Sequence, residues 1–397
     1  MLEFISRLNQ YRRQLRENRQ QQRLTRADEA ALASQVAPRP GRVLVVRNDS
    51  IGDYLLYRPW LRLMAAELRA RGQHLTLAAN AIWAPLARAW DPDVFDELLV
   101  VDFGRFQRDL AYRTEQLGTI GSGGYETLVY PLHVREPAVE NFFQFLQAPV
   151  RIGSQGEHRT TPWFKALDRA YTRILPTEPA TLFEYDRNRE FYENWRGEPA
   201  ASAPLHVPVL LEDVARFRAE LGMNYLVLFP GASARPKRWP AARFAQLARL
   251  LHQRYGSELR LVIAGSPDDD THARQIAAEL GQAPDTPPLV NLCGRTSLTE
   301  LAALLRGARL LVSNDTVAAH LAVQVGTPCI TVLMGENYGK FFPYPAGLHT
   351  AASRCLFPPS MEARLRRGIR DRPNFTPNIA EIEAARVLAV ADEVLRA

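Results

Sequence analysis

Only three cysteines, Cys293, Cys329 and Cys355, occur in 397 residues, with neither CxxC spacing nor a pairing pattern. That scarcity argues against a disulfide framework and against a zinc site; Cys293 and Cys329, in apolar strand-like runs, are expected in the core. No uninterrupted apolar run approaches the roughly 20 residues that cross a bilayer. The arginine-rich start lacks the apolar centre of a secretory signal, so the expected location is the cytosol. Neither GxGxxG nor the Lys-Ser/Thr ending of a P-loop follows the first strand-like run, which disfavours a dinucleotide or triphosphate site there. Net charge is concentrated in one segment. The net charge is +6, and residues 1–26 supply +5 of it through seven arginines against Glu3 and Glu17. A nearly neutral body excludes a nucleic-acid groove and leaves a local basic arm.

What is present is a globular composition, 46% apolar and 23% charged. The length exceeds what one ordinary core supports, so two domains are expected. Apolar runs suited to buried parallel strands alternate with helical stretches. In the first half they are Arg42–Arg47, Leu75–Ala79, Phe95–Val101 and Thr127–Leu132, with helices over Tyr54–Ala70 and around Ile82–Trp90. In the second half they are Tyr225–Phe229, Leu259–Ala264, Leu289–Leu292, Leu310–Val312 and Ile330–Leu333. A capping box, Ser297 with Glu300, opens the helix carrying Leu301, Leu304 and Leu305. The fold class is therefore α/β, with parallel sheets covered on both faces. The domain reading is a basic arm over 1–30, one lobe over 31–205, a second over 206–350, and a basic loop with a closing helix over 351–397. The linker is placed in the irregular stretch 155–205, which ends in Pro199, Pro204 and Pro208. Arg364–Arg372 is expected as a surface loop or short helix, and Ile379–Leu395 as one helix.

Parallel sheets bind ligands at the carboxyl ends of their strands, which singles out four loops. The first, Asn48 to Asp53, leads into a helix; Gly52 permits a tight turn, and Asp53 is either a cap or a group held at the mouth of a cleft. The second, Phe229 to Pro240, carries Ser233 with Arg235, Lys237 and Arg238; it is a phosphate-binding loop or a solvated basic one. The third, Gly265 to Asp270, presents Asp268, Asp269 and Asp270. These carboxylates are partners of a helix dipole, or they hold ribose hydroxyls. In the fourth, Ser313 to His320, Asp315 is a plain N-cap or a ligand, and His320 a satisfied helix histidine or part of a site.

In this order the four loops resemble the glycosyltransferase family of ADP-heptose:lipopolysaccharide heptosyltransferases, family 9. The stretches that carry the resemblance are Val43–Leu63 with Ser50-Ile51-Gly52-Asp53, Phe229-Pro230-Gly231 with Lys237-Arg238-Trp239-Pro240, Ala264-Gly265-Ser266-Pro267, and Asn314-Asp315-Thr316 with His320. The resemblance implies the GT-B fold, two facing Rossmann-like lobes with parallel sheets, and inverting transfer without a metal or cofactor. It implies Asp53 as general base, with Ser50 and Gly52 in the acceptor-side loop. On the donor side it implies Ser233, Lys237 and Arg238 near the phosphates, Asp269 or Asp270 as a nucleotide-sugar ligand, and Asp315 on the sugar. Thr316, with Val317 beside it, would hold the diphosphate, with His320 behind. The implied partners are a nucleotide-sugar donor, ADP-linked, and a glycan or glycolipid acceptor.

Two departures stand out: Val317 where the family usually has glycine, and Gly335-Glu336-Asn337-Tyr338-Gly339 where it has a Gly-Pro-Thr-Asp type of loop. They keep two other readings open, a GT-B-shaped sugar-nucleotide epimerase and a sugar-nucleotide-binding protein without catalysis. Leu2, Phe4, Ile5 and Leu8 beside arginines suit peripheral contact with an anionic inner-membrane surface, where a lipid-linked acceptor would be met.

Overall fold

The first sheet grows from Arg39–Arg47 (β1), whose last five residues are buried. A computed structural model describes residues 2–157, 161–281, 286–348, 351–369 and 376–396; the side chains of residues 1–10 and 13 fall outside it. Four further strands follow, His74–Asn80 (β2), Glu97–Val101 (β3), Tyr125–Tyr130 (β4) and Val150–Ser154 (β5), and then the short Arg173–Leu175 (β6). They pair in parallel in the order β3-β2-β1-β4-β5-β6. The second sheet has Tyr225–Phe229 (β7), Arg260–Ile263 (β8), Leu289–Asn291 (β9), Leu310–Asn314 (β10), Cys329–Val332 (β11) and Ser353–Leu356 (β12). It is also all parallel, in the order β12-β11-β10-β7-β8-β9. Alternating helices supply the crossovers that parallel pairing requires.

The chain divides into two compact units, Met1–Ala180 with Glu184–Ala203, and Thr181–Phe183 with Pro204–Ala397. Each has its own core. In the first, Leu44, Val46, Leu128 and Tyr130 pack with Phe106, Phe142 and Phe143; in the second, Leu228, Ile263, Val312 and Ile330 pack with Trp239, Phe244 and Val387. Cys293 and Cys329 are buried, as expected of core residues.

Several expectations need correcting. The stretch 155–205 is not a linker throughout: it contributes β6 and the helix Glu184–Arg196, which buries Tyr185, Phe191, Tyr192 and Trp195. Tyr185 and Tyr192 meet Trp60 of the helix Ile51–Ala70 at 5.0 and 5.8 Å between ring centres, so this segment belongs to the first unit. The closing helix begins later than Ile379. Ile379–Glu381 is a separate turn capped by the Asn378 side chain, Ile382 is extended, and the helix runs from Ala384 to Arg396. A helix does cover Pro359–Arg366, whereas the end of the expected Arg364–Arg372 segment, from residue 370, lies outside the described residues. Residues 2–31 form one helix whose later part is built into the first unit through buried Leu24 and Asp28.

Strand order fixes where a ligand can enter. In the first sheet the chain leaves β1 toward β2 and β3, then returns to β4 on the other side of β1. The loops after β1 and β4 therefore diverge and leave a crevice at the strand ends. In the second sheet the same reversal separates the loops after β7 and β10.

Candidate functional site

At the reversal in the second unit, one buried asparagine ties the two loops together. Asn314, the last residue of β10, donates its amide to the Pro230 carbonyl (2.7 Å) and accepts the Trp239 backbone N–H (3.1 Å). Trp239 is fully buried, donates its indole N–H to the Ile382 carbonyl (2.9 Å) and packs edge-on against Phe244. Gly231 has a steric reason: a Cβ there would lie 2.4 Å from the Asp269 carboxylate. The loop after β7 is thus pinned at both ends. Between the pins, the turn Arg235–Lys237 places Lys237 Nζ 3.2 Å from Asp315 Oδ2.

Asp315 is not the cap of the following helix. Thr316 is, its hydroxyl accepting the Ala318 N–H (3.2 Å) and lying 3.0 Å from Ser313 Oγ. The Asp315 carboxylate is left for Lys237 and for Asn337, whose amide donates to the same oxygen at 3.4 Å. Val317 is the first residue of the helix Val317–Val325, so the N–H groups of its first turn open beside this pair. His320 is buried behind them; its Nδ1 lies 2.7 Å from the Tyr344 hydroxyl and its ring 4.7 Å from that of Phe342. That environment holds the ring in place as part of the wall.

The other donor-side residues are distributed differently. Arg238 donates to the Ala232 carbonyl of its own loop (3.1 Å), and Ser233 is exposed. Asp269 is buried in a capping box with Ser266, accepting from its N–H (2.9 Å) and hydroxyl (2.7 Å). Asp270 accepts from Asn291 (2.8 Å) and pairs with Arg274 (2.6 Å); the Asn291 bond, with Arg274 behind it, holds its carboxyl below the usual range. Asp269 thus caps the turn before the helix, while Asp270 is held by Asn291 and Arg274 at the start of the helix Asp270–Leu280.

At the reversal in the first unit, Ser50 is the N-cap residue of the helix Ile51–Ala70, and its hydroxyl donates to Asp53 Oδ2. Gly52 lies inside the first helical turn, not in the turn before it, so the role given to it as a turn former falls away. Asp53 sits three residues past the cap and half-exposed, its carboxylate steadied by Ser50.

Beneath this loop is an ion pair that sequence reasoning missed. Arg47, fully buried at the end of β1, pairs with Asp49, and its guanidinium lies 3.9 Å from the centre of the Tyr57 ring. Asn80 and Trp83 each donate to the Asp49 carbonyl, at 3.0 and 3.1 Å, and the Tyr130 hydroxyl donates to Asn48 Oδ1 at 2.8 Å. The signal was an arginine closing an otherwise apolar strand, with an acid two residues on. Burial pushes the Asp49 carboxyl up to about 7 against the pull of Arg47, and the charge of Asp53 acts in the same direction as burial.

A stability prediction follows from Asp49. In the unfolded chain an aspartate ionises near ~3.9, so between about pH 4 and pH 7 the folded state binds more protons and stability falls as pH rises. The stabilisation is complete below the unfolded value and is lost through the folded one, to an upper bound of about 4 kcal/mol. Melting curves from acid to neutral pH should fall with pH more steeply for the parent chain than for Asp49→Asn. Parallel curves would show that the Asp49 carboxyl binds protons alike in the folded and unfolded chain.

The family model described as glycosyltransferase family 9 (heptosyltransferase) matches residues 140–353, just over half of the chain. Lipopolysaccharide heptosyltransferase 3 of Escherichia coli is 27% identical over 215 residues, 51% of this chain and 57% of that protein. The chain thus matches little more than half the length of that curated relative. Among solved structures, a glycosyl transferase family 9 protein from Veillonella parvula DSM 2008 aligns with a TM-score of 0.64 at 19% identity, covering 91% of this chain and 99% of that one. Escherichia coli heptosyltransferase WaaC with ADP aligns with a TM-score of 0.61 at 18% identity, covering 89% and 97%. At these identities the likeness is one of fold: two Rossmann-like parallel sheets of the GT-B class.

Proposed function

The chain belongs to glycosyltransferase family 9, the heptosyltransferase family, and from that premise we propose that it transfers a heptose from ADP-heptose to a hydroxyl of a lipopolysaccharide-core acceptor. The observation that carries this reading is the meeting of Lys237 and Asp315 at the strand-order reversal of the second unit. A cation suited to phosphate and a carboxylate suited to sugar hydroxyls stand side by side, with the start of the helix Val317–Val325 next to them. Lys237, Arg238 and that helix end stabilise the departing nucleoside diphosphate, while Ser233 stands at the exposed tip of the loop. Asp53 takes the proton of the attacking acceptor hydroxyl, and displacement inverts the anomeric centre. The reaction runs without a metal or other cofactor, because the protein's own cations meet the phosphate charge.

The direct test is calorimetric binding of ADP-, GDP-, UDP- and dTDP-linked sugars, with ADP-heptose expected to bind most tightly. Binding of none of them would overturn the reading. Lys237→Ala should weaken ADP-heptose binding and turnover together, by roughly 1.5 to 3 kcal/mol for a lost charge-assisted hydrogen bond. Unchanged affinity in that variant would remove this loop from the phosphate site. Turnover should survive EDTA. Sugar released without acceptor would favour the epimerase alternative, and donor binding without turnover the inactive one.

Work on a lipid-linked acceptor fits a protein on the cytoplasmic face of the inner membrane. Among the described residues no helix is long and apolar enough to cross a membrane. The arm Leu2–Ala31 would supply the peripheral contact through its exposed arginines, among them Arg12, Arg16 and Arg19.

A further inference from the structure

The partners that Lys237 already has define a second property of the donor site. Its ammonium lies 3.2 Å from Asp315 and 3.9 Å from Glu336, and Asp315 also accepts from Asn337. Glu336 and Asn337 come from the loop that departs from the family pattern. Gly335 shapes that loop: its φ is +88°, and a Cβ there would meet Met361 at 2.9 Å. The depression lined by Asp315, Leu333, Asn337, Tyr338 and Phe342 has a volume of only about 10 Å³, room for roughly one water. Asp315 keeps about 15% of its side chain exposed, so a sugar that bonds to it competes with Lys237 and Asn337 for the same oxygen.

From this we infer that the Asp315 carboxylate occupies, on Lys237, the place of a phosphoryl oxygen, and that Asn337 and Glu336 belong to the same exchange, so that the site favours a nucleotide-sugar over the free nucleoside diphosphate. The inference rests on the donor reading above. An incoming diphosphate takes Lys237 from Asp315 and leaves a partly buried carboxylate facing a second anion. A nucleotide-sugar brings hydroxyls that donate to Asp315 and replace what it lost. A free nucleoside diphosphate brings none, so nothing offsets that loss, and its affinity is scaled down to the fraction of molecules in which Lys237 is unpaired. Donor capture and product release are thereby separated by one carboxylate.

The test is calorimetry with ADP and ADP-heptose on the full chain. The parent should bind ADP-heptose more tightly than ADP, by about tenfold or more for a hydroxyl bonded to a charged group. Asp315→Asn should bind ADP about 5-fold more tightly than the parent, or better, while the advantage of the sugar disappears. Glu336→Gln, at an exposed position, should tighten ADP by a smaller factor of about 2. ADP affinity unchanged or weakened in both variants, with donor binding by the parent intact, overturns the exchange alone. A parent that binds neither probe overturns the donor reading and the exchange with it.

Discussion

Asp53→Asn is expected to lower turnover by about 10²- to 10⁴-fold while donor affinity and melting temperature stay close to those of the parent, the range for loss of a positioned general base. The carboxylate is half-exposed beyond the end of β1, at the strand-order reversal of the first unit, with Ser50 holding one oxygen. Asparagine keeps an acceptor for Ser50 and the volume of the side chain, so the helix start survives. What it loses in stability is the interaction of one charge with the first helical turn, typically 0.3 to 1 kcal/mol. A residue that only supports the helix would therefore show that small loss and near-normal turnover. The Asp49 carboxyl supplies an independent readout, because the charge of Asp53 helps to raise it. In Asp53→Asn the acid-to-neutral decline in stability should move to lower pH. Turnover within a few-fold of the parent would remove Asp53 from the chemistry, whatever happened to the pH dependence.

The parts of this molecule that were legible in its sequence are those written in local pattern. β1, β2, β7 and β10 are apolar runs bounded by turn residues, and the Ser297–Glu300 capping box forms as its spacing implies. β6 and β12 escaped notice because each is a short edge strand carrying an arginine, Arg173 or Arg354, with little apolar signal. The helix Glu184–Arg196 was hidden by its charged outer face, which resembled a linker until Trp60 supplied a partner for its aromatic face. In the site, the four loops could be located because each follows a strand. Their meeting could not: Lys237 and Asp315 are 78 residues apart, and only the placement of β10 beside β7 joins them. Nor does composition say which of two adjacent polar residues caps a helix. Thr316 rather than Asp315 takes that task, which frees the carboxylate for Lys237. Asn314 and Trp239 look in sequence like site residues, yet they are the buried ties that hold the lysine-bearing loop in place.

Asp28→Ala should destabilise the first unit by about 3 to 5 kcal/mol, a large share of the 5 to 15 kcal/mol typical of a folded domain. Both oxygens of Asp28 bind the Arg113 guanidinium, at 2.5 and 2.7 Å, and Asn141 donates to one of them at 2.7 Å. Asp28 and Arg113 are each fully buried. Arg113 also donates to the Ala138 carbonyl (2.7 Å) and sits over the Phe106 ring at 4.2 Å, so it cannot swing out to water. Alanine at position 28 leaves that cation without its counter-charge, and the cost of the unpaired charge exceeds the net value of the pair. Leu24 and Leu32, buried on either side, show why the helix docks here at all. If residues 1–30 were a free arm, Asp28→Ala would leave thermal unfolding unchanged, and a melting temperature equal to that of the parent would establish that. The docked helix also dictates how membrane contact must be tested. A deletion reaching Arg26 removes Leu24 and the Thr25–Asn141 hydrogen bond, so it loosens the first unit as well as stripping charge. Replacing exposed Arg12, Arg16 and Arg19 with glutamine leaves those contacts in place. On anionic vesicles, where each basic residue near the surface contributes about 1 kcal/mol, that triple variant should bind far more weakly with its melting temperature intact. Equal vesicle binding would assign the basic helix to something other than lipid.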